Sequence, residues 1–482
     1  MTLLTTAVPS AAPPPARTTV ASAVPGTAAP ADPLPALVRT LVRTLTAVLG
    51  SDRFPAALAA ATVLLVCLPT GGDQDVTAAV HVTPADVVSV GLVGLCGLRA
   101  AAALRRGEGG LLPTRAALLF GGMLLAVAVA TVASQDPQQS LSGFVRQAQV
   151  FVLVPLAVLL SLRERRDLRL LLAALVAAGL VEGAVGVEQY LTGTGASYDG
   201  GTVRAVGTFG AQDIMAMSAV VSYGMIAALG LALEARADGR RRHAAALGLA
   251  ALLLLVPLAL SFSRGSWIAT GCAVATALLL TDVRLLLRGA VFGLAAAVVL
   301  VGGLGLGGDS VVARLSSITR VTGTPDHSVS DRYDLWSTAG AIWRQHPLTG
   351  VGPKEFPQFR DAHAPLRLSS GSDTGGAGAG FSREPLLSPH NMYLLVLSEQ
   401  GLIGLTAFGT LVLGLLSGTV RQARRGRGGL GAALLGLLVW QLVDFLYADI
   451  GGPTTVLVSF ILGLAAFGAL GGAASPSPVG AP

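Results

Sequence analysis

The chain has 482 residues, of which 52% are hydrophobic and only 12% carry a charge, and its mean hydropathy is +0.67. Soluble domains usually contain about 25% charged residues. This composition therefore excludes an ordinary soluble protein and predicts an all-α polytopic membrane protein. The net charge of +6 is almost all arginine, and no basic stripe interleaved with aromatic residues indicates a nucleic-acid-binding surface.

The two ends of the chain are predicted to lie outside the membrane core. Residues 1–33 are rich in Pro, Ala and Thr and lack the apolar core of a signal peptide, so we expect a disordered cytoplasmic tail. Residues 34–50 carry apolar side chains at helical spacing, with Arg39 and Arg43 off that stripe, which predicts an interfacial helix. Residues 473–482 are expected to form a second disordered tail.

Apolar segments along the rest of the chain predict about twelve transmembrane helices of roughly 20 residues each. Nine lie within residues 54–306 and three within residues 391–472. The segments are 54–70, 84–104, 112–133, 143–162, 168–190, 208–234, 244–262, 265–281, 288–306, 391–419, 430–447 and 454–472.

The distribution of arginine predicts the orientation of these helices, because short cytoplasmic loops carry an excess of basic residues. The basic connections are 105–110, 163–169, 237–243, 282–288 and 421–429, and the acidic or neutral ones are 71–75, 134–140 and 447–453. The two groups alternate along the chain, so both termini are predicted to be cytoplasmic. The one long connection, 307–390, then lies on the outer face, and loops of that length usually have a function.

Several motifs that would indicate a metal or nucleotide site are missing from the sequence. Cys67, Cys96 and Cys272 lie in apolar runs without the paired spacing of a disulfide framework or a metal site. The sequence also has no HExxH, P-loop or convincing GxSxG motif. We therefore expect no metal and no other cofactor.

Two arginines break the charge rule on the predicted outer face. Arg264 lies in SFSRGSW (261–267), a tight turn between two apolar helices. Its guanidinium suits phosphate oxygens, and Ser263 and the start of the next helix could add donors. Alternatively, Arg264 extends to lipid headgroups. Arg204 lies in VRAVGTFGAQD, where an ordinary interfacial arginine is an equally good interpretation.

The most regular part of the long loop is DRYDLWSTAGAIWRQHPLTGVGPKEF (331–356). Its apolar side chains predict an amphipathic helix that ends before Pro347 and covers a cavity or serves as a purely structural lid. Arg332 and Arg344 lie on or near this helix. The predicted stripe is Tyr333, Trp336, Ala339, Ile342 and Trp343. Residues 369–380 (SSGSDTGGAGAG) are predicted to be a flexible linker.

His390 begins the tenth predicted span, in PHNMYLLVLSEQGLIGL (389–405). A neutral imidazole there could accept a proton from a hydroxyl group, although an ordinary histidine at a helix start has the same pattern. Asn391 could cap the helix or hold the imidazole. Glu399 lies nine positions on, on the opposite face of the helix, so we expect it to act in helix packing.

Three of these segments resemble the O-antigen ligase and polymerase superfamily of bacterial envelope glycosyltransferases. SFSRGSW is similar to that family's S-R-G-x-W turn, and residues 332–356 to its R-x3-W…HP-x2-G-x-G-x2-F segment. Residues 389–405 are similar to its HN-x-Y-L…E-x-G-x2-G helix. RAVGTF (204–209) resembles a weaker R-x2-G-T-F element but lacks the Pro-Asn that usually follows.

The resemblance implies a GT-C-like membrane fold and metal-independent transfer of a glycan from undecaprenyl diphosphate. Arg204 and Arg264 would bind the carrier diphosphate, with Arg332 as a third candidate, and His390 would activate the acceptor hydroxyl. Asn391, Ser263 and Trp336 would support them. The partners implied are the lipid-linked glycan, a glycan, lipid or protein acceptor, and the lipid bilayer. The location implied is the bacterial cytoplasmic membrane, with the active site on its extracytoplasmic face.

Other activities remain open at this point. A ligase, a polysaccharide polymerase and a protein O-oligosaccharyltransferase share the donor chemistry and differ in the acceptor. A transporter or flippase of lipid-linked sugars is an alternative from another class, but transporters place their unusual charges near the bilayer midplane. Here those charges gather at one surface, which favours an enzyme.

Overall fold

The computed structural model describes residues 51–69, 82–196, 203–210, 213–281, 283–289, 291, 327–365, 368, 387–425 and 428–470. The predicted tails, the interfacial helix 34–50, most of the span 288–306 and the linker 369–380 lie outside the described residues.

The described residues are almost entirely helical, and the only β-type pairing among them is an isolated antiparallel bridge between Ala196 and Arg204. The helices that precede the long loop are α1 (Phe54–Leu65), α2 (Pro84–Arg105), α3 (Thr114–Val132), α4 (Pro137–Ser161), α5 (Arg165–Thr192), α6 (Ile214–Ala237), α7 (Arg241–Leu260) and α8 (Arg264–Thr281). The later ones are α9 (His327–Gln345), α10 (Phe356–His363), α11 (Met392–Arg425), α12 (Gly429–Asp444) and α13 (Thr455–Leu470).

These helices confirm an all-α polytopic membrane protein. Within the described ranges, seven helices are long and apolar enough to cross a membrane: α2, α3, α4, α5, α6, α7 and α11. The helices α1, α12 and α13 are shorter but also apolar. Every predicted segment other than 288–306 contains one of the helices, while the number of complete crossings stays a prediction.

The helix starts follow local capping chemistry. Thr83 and Asp86 form a capping box at the start of α2, in which each side chain accepts a hydrogen bond from the other residue's backbone N–H. At the start of α4, the Asp136 carboxylate accepts hydrogen bonds from the backbone N–H groups of Gln138 and Gln139. These polar residues therefore fix where the apolar helices begin.

The buried side chains form two apolar clusters. One combines α1, α2, α5, α6, α7 and α8, the other combines α3, α9, α10 and α11, and α4 contributes to both. Helices α12 and α13 contribute to both, with Trp440 fully buried in the first and Phe445 in the second. Small residues allow the closest approach, because a side chain at Gly179 of α5 would contact Gly224 of α6 at 3.1 Å.

Polar contacts at one end of the helices distinguish that end from the other. Glu234, near the end of α6, accepts a hydrogen bond from Arg169 at 3.1 Å and one from the backbone N–H of Leu430 at 3.4 Å. These contacts join the basic connections that precede α5 and α12. The α7–α8 turn, the segment before α11 and the turn between α12 and α13 lie at the opposite ends of their helices. Which end faces the cytoplasm stays a prediction.

Helix α11 is broken at Gly401, where φ is 63° and ψ is −159°. The break leaves backbone carbonyls of the first half without partners in the helix. The Ser398 carbonyl accepts a hydrogen bond from Val351 at 3.1 Å, and the Glu399 carbonyl accepts one from Gly352 at 2.8 Å. The loop that follows α9 therefore supplies the donors that the helix lacks.

The same loop also supplies the missing acceptors. Leu402 donates its backbone N–H to the Pro347 carbonyl at 2.9 Å, and Ile403 donates to the Leu348 carbonyl at 3.1 Å. Residues 347–352, called the inserted loop below, thus bridge the break from both sides. The predicted span 391–419 is two helical halves joined through a segment of the long loop.

Helix α9 is amphipathic, as predicted, but its buried face differs from the predicted stripe. Leu335, Ala339 and Ile342 are fully or almost fully buried, whereas Tyr333 is 56% exposed. Tyr333 instead makes an edge contact with Trp336, with ring centroids 5.5 Å apart. Leu335, which the predicted stripe omits, therefore takes the buried position expected for Tyr333.

Candidate active site

Arg264 occupies the first position of α8, directly after the α7–α8 turn. Hydroxyl groups hold this turn: Ser263 Oγ lies 3.0 Å from Ser266 Oγ, which lies 2.7 Å from Ser218 Oγ on α6. The ring of Tyr447 packs against the backbone next to Arg264. The start of α8 is therefore fixed against α6 and against the turn between α12 and α13.

Arg204 lies beside the same turn. Its backbone exchanges two hydrogen bonds with Ala196, at 3.0 and 2.8 Å. The next residue, Ala205, donates its N–H to the Leu260 carbonyl at 3.1 Å. Since Leu260 ends α7, the segment that carries Arg204 is attached to the turn that leads to Arg264.

Helix α9 brings Arg332 to this end of the helices. Trp336, one turn further along α9, donates its indole N–H to the Pro389 carbonyl at 3.0 Å. This bond ties α9 to the residue directly before His390. Arg344, by contrast, lies exposed in the last turn of α9, two turns beyond Trp336.

His390 is half-buried and has a left-handed backbone conformation, with φ of 45°. The next residue, Asn391, caps α11 by accepting a hydrogen bond from the backbone N–H of Leu394 at 3.0 Å. The Asn391 amide also donates to the Leu446 carbonyl at 2.9 Å. Asn391 therefore attaches the backbone beside His390 to the turn between α12 and α13.

Charged and polar side chains meet around Arg332. Burial lowers the pKa of the Arg332 guanidinium, and the nearby positive charge of Arg264 lowers it further. The carboxylates of Asp444 and Asp449 act in the opposite direction and favour the charged form of Arg332. The structure thus brings two of the predicted arginines together and places carboxylates beside them.

The turn between α12 and α13 supplies the negative part of this group. Asp449 accepts a hydrogen bond from the backbone N–H of Gly451 at 3.2 Å on Oδ1, while its buried Oδ2 has no hydrogen-bond partner among the described residues. Burial, with a further contribution from Asp444, raises the pKa of Tyr447 to about 12, so its hydroxyl stays protonated at neutral pH. Tyr447 can therefore donate a hydrogen bond to an anion.

Glu399 helps to attach the inserted loop to α11. Its side chain is 3% exposed and accepts a hydrogen bond from the backbone N–H of Phe356 at 3.3 Å. Its carbonyl accepts the hydrogen bond from Gly352 described above. Glu399 thus fixes the loop, while His390 lies at the start of the same helix.

Glu355 is a second buried carboxylate at the base of the loop. It accepts a hydrogen bond from the Ser140 hydroxyl at 2.8 Å, and its other oxygen has no hydrogen-bond partner within the described part of the chain. Burial raises the pKa of the Glu355 carboxyl, against the hydrogen bonds from Ser140 and the Asp136 backbone that lower it. Relative to the unfolded chain, the folded protein therefore shifts the Glu355 carboxyl towards its neutral form.

We expect Glu355→Gln to stabilise the protein at neutral pH by about 1 kcal/mol, because the variant carries no buried charge. A raised carboxyl pKa stabilises the folded state below the ordinary pKa of glutamate, and this contribution is lost as the pH rises through the folded-state value. Thermal unfolding of both proteins from pH 4 to pH 8 measures it. The gain should be largest at pH 8 and shrink towards pH 4.

Glu188→Gln is the matched control, because Glu188 is an exposed glutamate near the end of α5 and receives the same substitution. This variant should change stability by less than about 0.5 kcal/mol at any pH. A Glu355→Gln variant that is less stable than the wild type at pH 8 contradicts the assignment.

The sequence analysis missed the carboxylates of this site. Asp449 counted only as part of the acidic outer connection 447–453, and Asp444, inside the predicted span 430–447, received no role, although both lie near the end of an apolar helix. Glu182 was also overlooked, within the apolar run 168–190. An ionisable residue inside or at the end of a membrane helix is itself a signal of function, and that signal could have found all three.

Comparison with known proteins supports the interpretation of these motifs. Residues 249–409 match the family model described as O-Antigen ligase. The matched region contains Arg264, Arg332 and His390, whereas Arg204 precedes it. No curated protein matches the chain. Among the described residues, no three His, Cys, Asp or Glu side chains are grouped to hold a metal ion.

Proposed function

We propose that the protein transfers a glycan from undecaprenyl diphosphate to an acceptor hydroxyl. The starting point is the match of residues 249–409 to the O-Antigen ligase family model, which supports the O-antigen ligase and polymerase superfamily. The family implies glycosyltransferase or ligase activity on lipid-linked glycans and a location within a membrane. The proposal adds the diphosphate donor, the residues that act on it and the extracytoplasmic face of the bacterial cytoplasmic membrane.

The observation that carries the proposal is the grouping of Arg264 and Arg332 beside the turn to which the His390 segment is attached. Guanidinium groups at a membrane surface are suited to bind phosphate oxygens, because their planar N–H groups match the geometry of those oxygens. A diphosphate provides oxygen atoms for both guanidinium groups. Arg204 is attached to the same turn as Arg264 and is proposed as a third ligand.

The proposed reaction is a displacement at the anomeric carbon of the carrier-linked sugar. The acceptor oxygen forms a bond to that carbon, and the bond from the carbon to the phosphate oxygen breaks. Its electron pair remains on the diphosphate, where Arg264 and Arg332 stabilise the added charge. His390 takes the proton of the acceptor hydroxyl. Asn391 holds the backbone of His390 against the turn that carries Asp449.

A transporter of lipid-linked sugars has less support. Transporters often use broken helices whose free backbone groups bind the substrate, and α11 is broken at Gly401. Here, however, the inserted loop already occupies the backbone groups at the break. The polymerase and protein O-oligosaccharyltransferase alternatives keep the proposed donor chemistry, and the acceptor distinguishes them.

We expect purified protein in lipid nanodiscs to release undecaprenyl diphosphate from an undecaprenyl-diphosphate oligosaccharide when glycan, lipid or protein hydroxyl acceptors are added. The rate should be unchanged by EDTA, because the arginines provide the positive charge that the leaving group needs. Analysis of the product identifies the acceptor. Strict dependence on a divalent ion, or movement of the intact donor across a vesicle bilayer without transfer, contradicts the proposal.

A further inference from the structure

One face of α5 supports the segment that carries Arg204. Gln189 Oε1 accepts hydrogen bonds from the backbone N–H groups of Val206 at 3.1 Å and Gly207 at 2.9 Å. Its Nε2 donates to the Gly207 carbonyl at 2.8 Å. One amide side chain therefore fixes three consecutive peptide units of a segment whose only regular structure is the bridge at Arg204 and the short 3-10 helix Gly207–Phe209.

Glu182 continues this contact two turns earlier on the same face of α5. Its carboxylate accepts hydrogen bonds from the Thr208 hydroxyl at 2.7 Å and from the Thr208 backbone N–H at 3.0 Å. Glu182 is fully buried, and a carboxylate within an apolar helix is costly unless it is paired. A side chain at Gly207 would overlap the Glu182 carboxylate, so the two surfaces fit only with glycine.

The other side of the segment is attached to the α7–α8 turn. Arg204 pairs with Ala196, and Ala205 donates to the Leu260 carbonyl at 3.1 Å. The backbone of Arg204 is thus held between α5 and the turn that precedes Arg264. The contacts with α5 and with the α7–α8 turn together fix the backbones of Arg204 and Arg264 relative to each other.

We infer that Gln189 and Glu182 are positioning residues that set Arg204 against the carrier diphosphate. The inference rests on the proposed function, since it assigns these two residues to the same anionic ligand. A guanidinium on a long side chain binds a diphosphate well only if its backbone is fixed, because the entropy of ordering is then lower. Gln189 and Glu182 act through Arg204 and do not contact the ligand themselves.

The test measures the affinity of the protein in nanodiscs for undecaprenyl diphosphate, together with KM and kcat for glycan transfer. We expect Arg204→Ala and Gln189→Ala each to weaken the affinity about tenfold or more, with a larger effect on KM than on kcat. The double variant should bind no more weakly than Arg204→Ala alone, because Gln189 acts only through Arg204. Glu188→Ala is the control, since Glu188 is the exposed neighbour of Gln189 and should leave the affinity unchanged.

Gln189→Glu and Glu182→Gln provide second variants that nearly preserve side-chain size. The first removes the donation to the Gly207 carbonyl, and the second removes one acceptor at Thr208. Each should weaken the affinity in the wild-type background and have no further effect after Arg204→Ala.

The outcomes separate the two proposals. If Arg204→Ala leaves the affinity for undecaprenyl diphosphate unchanged, the role of Arg204 in the proposed function is wrong. If Arg204→Ala weakens binding but folded Gln189 and Glu182 variants do not, only the positioning inference is wrong. Effects of Gln189→Ala and Arg204→Ala that multiply in the double variant also overturn the positioning inference.

Discussion

Replacement of His390 by alanine is expected to lower kcat for glycan transfer by about 10²–10⁴-fold, the range that a lost general base usually causes. The affinity for undecaprenyl diphosphate should stay within about twofold of the wild type, because His390 is assigned to the acceptor proton and not to the diphosphate. Single-turnover transfer in nanodiscs and equilibrium binding of the carrier measure the two effects separately.

Arg264→Ala should show a different pattern. It removes charge stabilisation of the leaving diphosphate, so both carrier affinity and kcat are expected to fall, with kcat lower by about 10²–10³-fold. His243→Ala and Arg344→Ala are matched controls, since both residues are exposed and lie outside the site. Transfer at wild-type rates by folded His390→Ala and Arg264→Ala variants would falsify the mechanism.

Replacement of Gly350 by alanine is expected to destabilise the protein by about 2–5 kcal/mol. Gly350 has φ of 67°, a left-handed conformation that costs other residues about 1–2 kcal/mol. A side chain there would also overlap the backbone of Glu399, and such overpacking adds about 1–3 kcal/mol. Thermal unfolding in detergent measures the loss, and limited proteolysis at the inserted loop should show earlier cleavage.

Gly340→Ala is the control for this variant. Gly340 lies in α9, and a side chain there would meet no atom within 4 Å. Because alanine is a better helix former, this variant should be as stable as the wild type or slightly more stable. Equal stability of the two alanine variants would show that the inserted loop does not dock against α11 as described.

The sequence predicts the fold class and several parts of the site for clear physical reasons. Membrane helices can be predicted from long apolar runs, because a helix satisfies all its backbone hydrogen bonds locally and can therefore lie in lipid with apolar side chains alone. Arg264 and His390 are recognisable as candidates because each interrupts such a run at one of its ends. Asn391 was predicted either to cap the helix or to hold the imidazole, and the structure confirms that it caps α11.

The features that were not predicted depend on contacts between distant parts of the chain. The local sequence predicts Gly401 as an ordinary glycine within a helix. The helix breaks there because residues 347–352 bind the backbone on both sides of Gly401. Glu182 and Gln189 support a segment that follows them after a turn, and no local pattern predicts that contact. The spacing of apolar residues predicts Tyr333 on the buried face of α9, but the side chain is exposed, because the surface that packs against α9 is not encoded in the local pattern.

The inserted loop has a consequence for the order of events during biogenesis. Residues 347–352 are synthesised before α11, yet their backbone partners at residues 398–403 do not exist until α11 has been translated. Pro353, directly after the loop, lies so close to Gly143 of α4 that a side chain there would come within 2.6 Å of its carbonyl. Docking of the loop between α4 and the break in α11 therefore cannot be complete before α11 has been translated. Until then, the backbone groups of residues 347–352 that bind α11 lack these partners.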